Sequence, residues 1–121
     1  MKEEKEAVRE LLCITLAGQK LFYNDPRHFV SVQDRIVPLT PTEYRLWRHL
    51  VERAIQIQSG DDEHLLQHLL MRVEELQAVT GLERYLVLRY LRKANEKFQV
   101  TPFAIAGDVR LGFVFLKKPE E

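Results

Sequence analysis

The period of the apolar residues changes at Thr40-Pro41-Thr42-Glu43, and that change divides the chain into two kinds of structure. Thr40 can act as a helix N-cap, with Pro41 at the first helical position, where its missing N–H leaves no bond unmade. Glu43, three residues past the cap, can reach back to the backbone N–H of Thr40 while the Thr40 hydroxyl accepts from the N–H of Glu43. The spacing predicts a helix from Pro41 to about Gln56 that buries Tyr44, Trp47, Leu50, Val51 and Ala54 on one face.

Ahead of this start the chain reads as strands. Leu12-Cys13-Ile14-Thr15-Leu16 and Lys20-Leu21-Phe22-Tyr23 are separated at Gly18, and Asn24-Asp25-Pro26 is a turn signal. Phe29-Val30-Ser31-Val32 and Arg35-Ile36-Val37 follow, so a small antiparallel meander is expected. Gln33-Asp34 lacks the glycine of an ideal two-residue hairpin turn. Residues 2–12 have Ala7, Val8, Leu11 and Leu12 on one side among charges and predict a short amphipathic leader helix.

After the first helix, Ser59-Gly60-Asp61 ends one helix and caps the next. Residues 62–79 repeat leucine at helical spacing, as one helix or as two broken near Arg72. Thr80-Gly81 supplies a turn, because glycine tolerates the left-handed conformation that ends a helix. A third helix is expected over 82–98, with Val87, Leu91, Ala94 and Phe98 as its buried seam. Strands over 100–106 and 111–116 then flank a hairpin tip at Gly107-Asp108-Val109-Arg110. The expected class is α+β, with a leader at 1–11, one domain over 12–118 and a tail at 119–121.

Composition narrows the function. At 121 residues there is room for one hydrophobic core. No apolar run approaches the roughly 18 residues of a membrane span. The charged start, Lys2-Glu3-Glu4-Lys5-Glu6, is unlike a signal peptide, so a cytoplasmic location is expected. Cys13, the single cysteine, excludes an internal disulfide framework and reads as a buried core residue. His64 and His68 have a spacing that can bind metal, but no third ligand accompanies them. Asp61-Asp62-Glu63 suits the positive end of a helix dipole. There is no glycine-rich phosphate loop and no nucleophile motif, so neither an enzyme nor a cofactor is expected.

The order of meander, three helices and terminal hairpin resembles the winged helix-turn-helix effector domain of the OmpR/PhoB family of bacterial response regulators. Four stretches carry the likeness. Val37-Pro38-Leu39-Thr40-Pro41-Thr42-Glu43-Tyr44-Arg45-Leu46 is similar to the family's "LTPTEYRLL" entry to its first helix, and the meander stands where the family keeps its sheet. Leu91-Arg92-Lys93 is similar to the "RLRKKL" end of the recognition helix, and Leu111-Gly112-Phe113-Val114-Phe115 resembles the "GxGYxL" strand that returns from the wing.

Two departures stand out. Asn95 occupies the place of a family leucine, and Leu76-Gln77-Ala78-Val79-Thr80-Gly81-Leu82 is a tighter joint than the family's tryptophan-bearing loop. That joint is similar to the short turn of general bacterial helix-turn-helix regulators. Glu74, Glu75, Leu76, Thr80, Gly81, Leu82, Val87 and Leu91 stand in its register. The few residues before the sheet leave no room for a receiver domain, so control by phosphorylation is not expected.

The resemblance implies that the third helix lies in a major groove of DNA and that the hairpin, as a wing, meets the backbone. With Val87 at the centre of the buried seam and about 100° per residue, Tyr85, Arg89, Arg92 and Glu96 point outward, flanked by Arg84, Leu88 and Lys93. Arginine can hold guanine bidentately, and tyrosine adds a hydroxyl on an apolar ring. The expected DNA-binding residues are Arg84, Tyr85, Arg89, Arg92, Lys93, Lys97 and Arg110, the last two on phosphate.

The chain carries 18 basic and 18 acidic residues and is formally neutral. Residues 84–118 hold eight basic and two acidic side chains, so this stretch is +6 and the rest −6. That division suits specific binding to double-stranded DNA better than indiscriminate binding. The expected function is transcriptional regulation. The alternative is the same fold as an interaction or dimerisation module that does not bind DNA, motivated by net neutrality, Leu88 and Glu96. A homodimer through the leader or the third helix fits either reading.

Overall fold

The computed structural model describes residues 11–58 and 70–118. Most of the leader, the Ser59-Gly60-Asp61 cap, His64 and His68 lie outside the described residues. The element order is β1 (Leu11–Leu16), β2 (Gln19–Asn24), β3 (Phe29–Val32), β4 (Arg35–Pro38), α1 (Pro41–Gln58), α2 (Val73–Thr80), α3 (Arg84–Lys97), a 3₁₀ turn (Phe98–Val100), β5 (Phe103–Asp108) and β6 (Gly112–Lys117). The architecture is α+β: a four-stranded antiparallel sheet, three helices among the described residues, and a C-terminal β-hairpin.

The meander is antiparallel in the order β1-β2-β3-β4. Its inner face is Leu16, Leu21, Tyr23, Val30, Val32 and Val37, all buried. Both two-residue turns put their central residues in the left-handed region: Ala17 (φ 50°) with Gly18 (φ 78°), and Gln33 (φ 49°) with Asp34 (φ 66°). This is the twist that matches the flanking strands. The second turn forms without glycine, because the apolar alternation of β3 and β4 fixes the register around it. Leu11 and Leu12 begin β1 and do not end a leader helix. Cys13 is exposed and not buried. It pairs across the sheet with Phe22 on the outer face, which no other described element covers.

Helix α1 starts at Pro41 with both halves of the expected cap in place. The Thr40 N–H donates to Glu43 Oε1 at 2.9 Å, and the Glu43 N–H donates to Thr40 Oγ1 at 3.3 Å. Tyr44, Trp47, Leu50, Val51 and Ala54 are buried as the spacing predicts. At the sheet end of α1 the Tyr44 hydroxyl donates to Asp25 Oδ1 at 2.5 Å, and Arg48 Nε donates to the same oxygen at 3.1 Å. Burial, and then the bond to Asp25, push the Tyr44 phenol well above its ordinary pKa.

The 62–79 pattern does not continue as one helix through Arg72. Met71 forms an antiparallel bridge with Phe113, their N–H and C=O groups exchanging two bonds of 2.8 Å. The approach is close enough that a side chain at Gly112 could not fit. Its Cβ would stand 2.7 Å from the Met71 carbonyl oxygen. Helix α2 then starts at Val73 and is tied to α1 by the ion pair of Glu75 with Arg53 at 2.5 Å.

The terminal hairpin begins later than the sequence suggests. Residues 98–100 wind into a 3₁₀ turn, and Thr101 holds the exit: its hydroxyl donates to the Phe98 carbonyl at 2.8 Å and accepts the Phe103 N–H at 3.1 Å. The core centres on Trp47. Its ring meets Tyr23 of the sheet at 5.6 Å, Tyr44 at 5.5 Å, Phe98 after α3 at 6.1 Å and Phe115 of β6 at 5.6 Å. One side chain therefore joins sheet, helices and hairpin.

Candidate nucleic-acid interface

The joint between α2 and α3 is built from short-range bonds. Thr80 Oγ1 donates to the Leu76 carbonyl at 2.5 Å and accepts the Leu82 N–H at 3.4 Å. Gly81 adopts φ 73°, and its N–H closes on the Gln77 carbonyl at 2.8 Å. This is a left-handed helix end, for which glycine carries no Cβ penalty. Leu82 packs against the core, so the turn is pinned from inside. Helix α3 starts at Arg84, two residues later than the pattern suggests, because Gly81-Leu82-Glu83 is spent on the turn.

Val87, Leu91, Ala94 and Phe98 are buried, and their burial sets which face of α3 looks out. Arg84, Tyr85, Arg89, Arg92, Lys93 and Glu96 are exposed, Tyr85 by 61%. Arg89, Arg92 and Lys93 make no ion pair among the described residues. Arg84 lies 3.6 Å from Glu74 in an exposed pair. Such a pair is worth little in water and can be exchanged for another anion. The first turns of α1 and α2 hold acids (Glu43; Glu74 and Glu75), whereas that of α3 holds none. Arg84 stands in that first turn, but Glu83 at the N-cap and Glu74 beside Arg84 offset its charge.

Leu88 is half-buried and packs on the core, so it is not the exposed apolar contact expected on this face. Lys97 is exposed at the end of α3 and has a partner that the sequence did not reveal. Its ammonium ion-pairs with Glu43 Oε1 at 2.5 Å, and Glu43 is 1% exposed. Burial alone would raise the Glu43 pKa. The bonds from Lys97 and from the Thr40 N–H outweigh burial and hold the carboxyl below the usual glutamate range. Lys97 thus locks the end of α3 to the start of α1, while its own side chain stays 38% exposed.

Arg110 stands exposed at the hairpin tip. Asp108 Oδ1 accepts the N–H of Arg110 at 2.9 Å and that of Leu111 at 2.7 Å, which fixes the turn. Val109 and Leu111 are exposed beside it. The hairpin is tied to α3 by a bond the sequence did not reveal: the Ile105 N–H donates to Asn95 Oδ1 at 2.8 Å. Asn95 therefore orients the hairpin against the helix. Lys118 Nζ is held by the carbonyls of Gln99 (3.2 Å) and Thr101 (3.0 Å).

Arg72 was not anticipated. It is exposed at the cap of α2, next to the Met71–Phe113 bridge, one strand pair from the tip of the hairpin. Only the bridge reveals this placement, and no motif in the sequence marks it. Among the described residues no group of three or more His, Cys, Asp or Glu side chains could hold a metal, and no helix is long and apolar enough to cross a membrane. No known family model and no curated protein sequence matches the chain.

Proposed function

We propose that the protein is a DNA-binding transcriptional regulator of the winged helix-turn-helix type, similar in plan to the OmpR/PhoB effector domains and acting in the cytoplasm without enzymatic chemistry. The observation that carries this is the outer face of α3, where Arg89, Arg92 and Lys93 are exposed and make no ion pair among the described residues. Supporting it are the tight α2–α3 joint and the strand-like bridge at Met71 before α2, which makes a third line beside the hairpin.

In this reading α3 enters the major groove, with Tyr85, Arg89 and Arg92 on base edges and Arg84 and Lys93 on the flanking phosphates. The hairpin is the wing, with Arg110 on the backbone or minor groove and Leu111 beside it as an apolar contact. Arg72, beside the bridge near the hairpin tip, adds a phosphate contact. Lys97 is structural. The interaction-module alternative loses part of one motive, because Leu88 is half-buried against the core.

The test is a fluorescence-anisotropy titration of duplex DNA across a salt series. Binding is expected at low salt, weakening steeply as salt rises. Arg89→Ala with Arg92→Ala is expected to weaken it by roughly 30-fold or more, on the basis of about 1–3 kcal/mol for each base-reading arginine. Absence of binding at low salt, or binding indifferent to the double substitution, would refute the proposal and favour the interaction module.

A further inference from the structure

We propose that β1 is a dimerisation edge, pairing antiparallel with β1 of a second copy about a two-fold axis at Cys13. The inference does not depend on DNA binding. Among the described residues β1 pairs with β2 alone and forms one edge of the sheet. The two-residue turn at Ala17-Gly18 makes Leu16 and Gln19 the first hydrogen-bonded pair. Pairs alternate along an antiparallel ladder, so Ile14 and Leu12 also bond to β2, while the N–H and C=O groups of Leu11, Cys13 and Thr15 point away from it.

The two edges of the sheet are not alike. β4 carries Arg35 and Pro38, the kinds of residue that blunt an edge against further pairing. β1 is Leu-Leu-Cys-Ile-Thr-Leu, with no charge, no proline and no break in its register with β2. Leu12 is 39% exposed on the inner face, and Cys13 and Thr15 are exposed on the outer face.

The occupant is read from the same residues. A strand added here must be neutral and apolar on its inner face. A strongly charged strand fits such a position poorly, and seven of the ten residues before β1 are charged. β1 itself does qualify. In the register centred on Cys13, Leu12 of one copy stands opposite Ile14 of the other, and Leu11 stands opposite Thr15. All three outward-pointing residues then find hydrogen-bonding partners, and a shift by two residues in either direction loses one of these three pairs. The absence of charge means that self-pairing brings no like charges together. The two Cys13 Cα atoms would lie about 5.5 Å apart, the spacing of a hydrogen-bonded antiparallel pair.

The experiment uses the full chain under reducing conditions. Sedimentation is expected to show mass doubling with concentration. A short bis-maleimide is expected to join two copies through Cys13, the single cysteine. The Leu11, Cys13 and Thr15 amides should become protected from hydrogen exchange as the concentration rises. Cys13→Lys, and separately Thr15→Lys, should give monomers with unchanged far-UV circular dichroism, since both side chains are exposed in the single chain. A monomer at every concentration would overturn the proposal, as would a dimer that survives both substitutions. Concentration-independent protection of the three amides in a monomer would equally overturn it and would place residues 1–10 on the edge.

Discussion

Trp47→Ala is expected to remove about 3–5 kcal/mol of stability, the range for deleting a large aromatic side chain from a packed core. The reason is position more than size. Trp47 is fully buried and touches the rings of Tyr23, Tyr44, Phe98 and Phe115, so the cavity would open where the sheet, α1, the end of α3 and β6 converge. Neighbours held by different elements cannot collapse together into the space. A domain of this size has a total stability of about 5–15 kcal/mol, so the variant should unfold at markedly lower urea, followed by circular dichroism. Trp47→Phe is expected to cost less than about 1.5 kcal/mol. It keeps an aromatic ring at the centre and removes the indole N–H, which is buried without a hydrogen-bond partner among the described residues. Equal losses for the two variants would contradict the cavity argument.

Glu43→Gln is expected to destabilise the fold by about 1–3 kcal/mol at neutral pH, the cost of losing a charge-assisted bond at a buried site. Glu43 performs two tasks at once. It closes the cap of α1 through the Thr40 N–H, and it anchors Lys97 at the end of α3. Glutamine can keep the first bond but not the ionic part of the second. Because the folded-state pKa is held below the ordinary glutamate value of about 4.3, the carboxylate's contribution is fully present above that pH. It is lost as the pH falls through the folded-state pKa. The wild-type chain should therefore lose stability toward acid more steeply than Glu43→Gln, as urea unfolding at a series of pH values would show. Parallel curves would mean that the Lys97 pair is not stabilising.

Local rules made much of this fold readable. The α1 cap is written in Thr40-Pro41-Thr42-Glu43, and the burial of Trp47 and of the α3 seam follows from helical spacing. What stayed hidden depends on contacts between distant residues. Met71 reads as helical from the sequence around it, but it stands in a bridge with Phe113, 42 positions away. Lys97 looks like any basic residue near a helix end until Glu43 is buried beside it. Asn95 is a departure from a family pattern in the sequence and a clamp on β5 in the structure. Cys13 was misread because an apolar strand says which residues alternate, but not that the outer side of an edge strand lacks a covering layer. For the candidate interface, the exposed basic ridge of α3 was legible from its buried seam, whereas Arg72 depended on the bridge.

The central claim is that α3 and the hairpin tip form one surface for DNA. The most direct measurement is amide chemical-shift mapping of the full chain titrated with duplex DNA at low salt. The account predicts changes concentrated over residues 84–93, at Arg72 and around Arg110, and reversed by added salt. Changes confined to the β1–β4 sheet, or no change at α3, would contradict it.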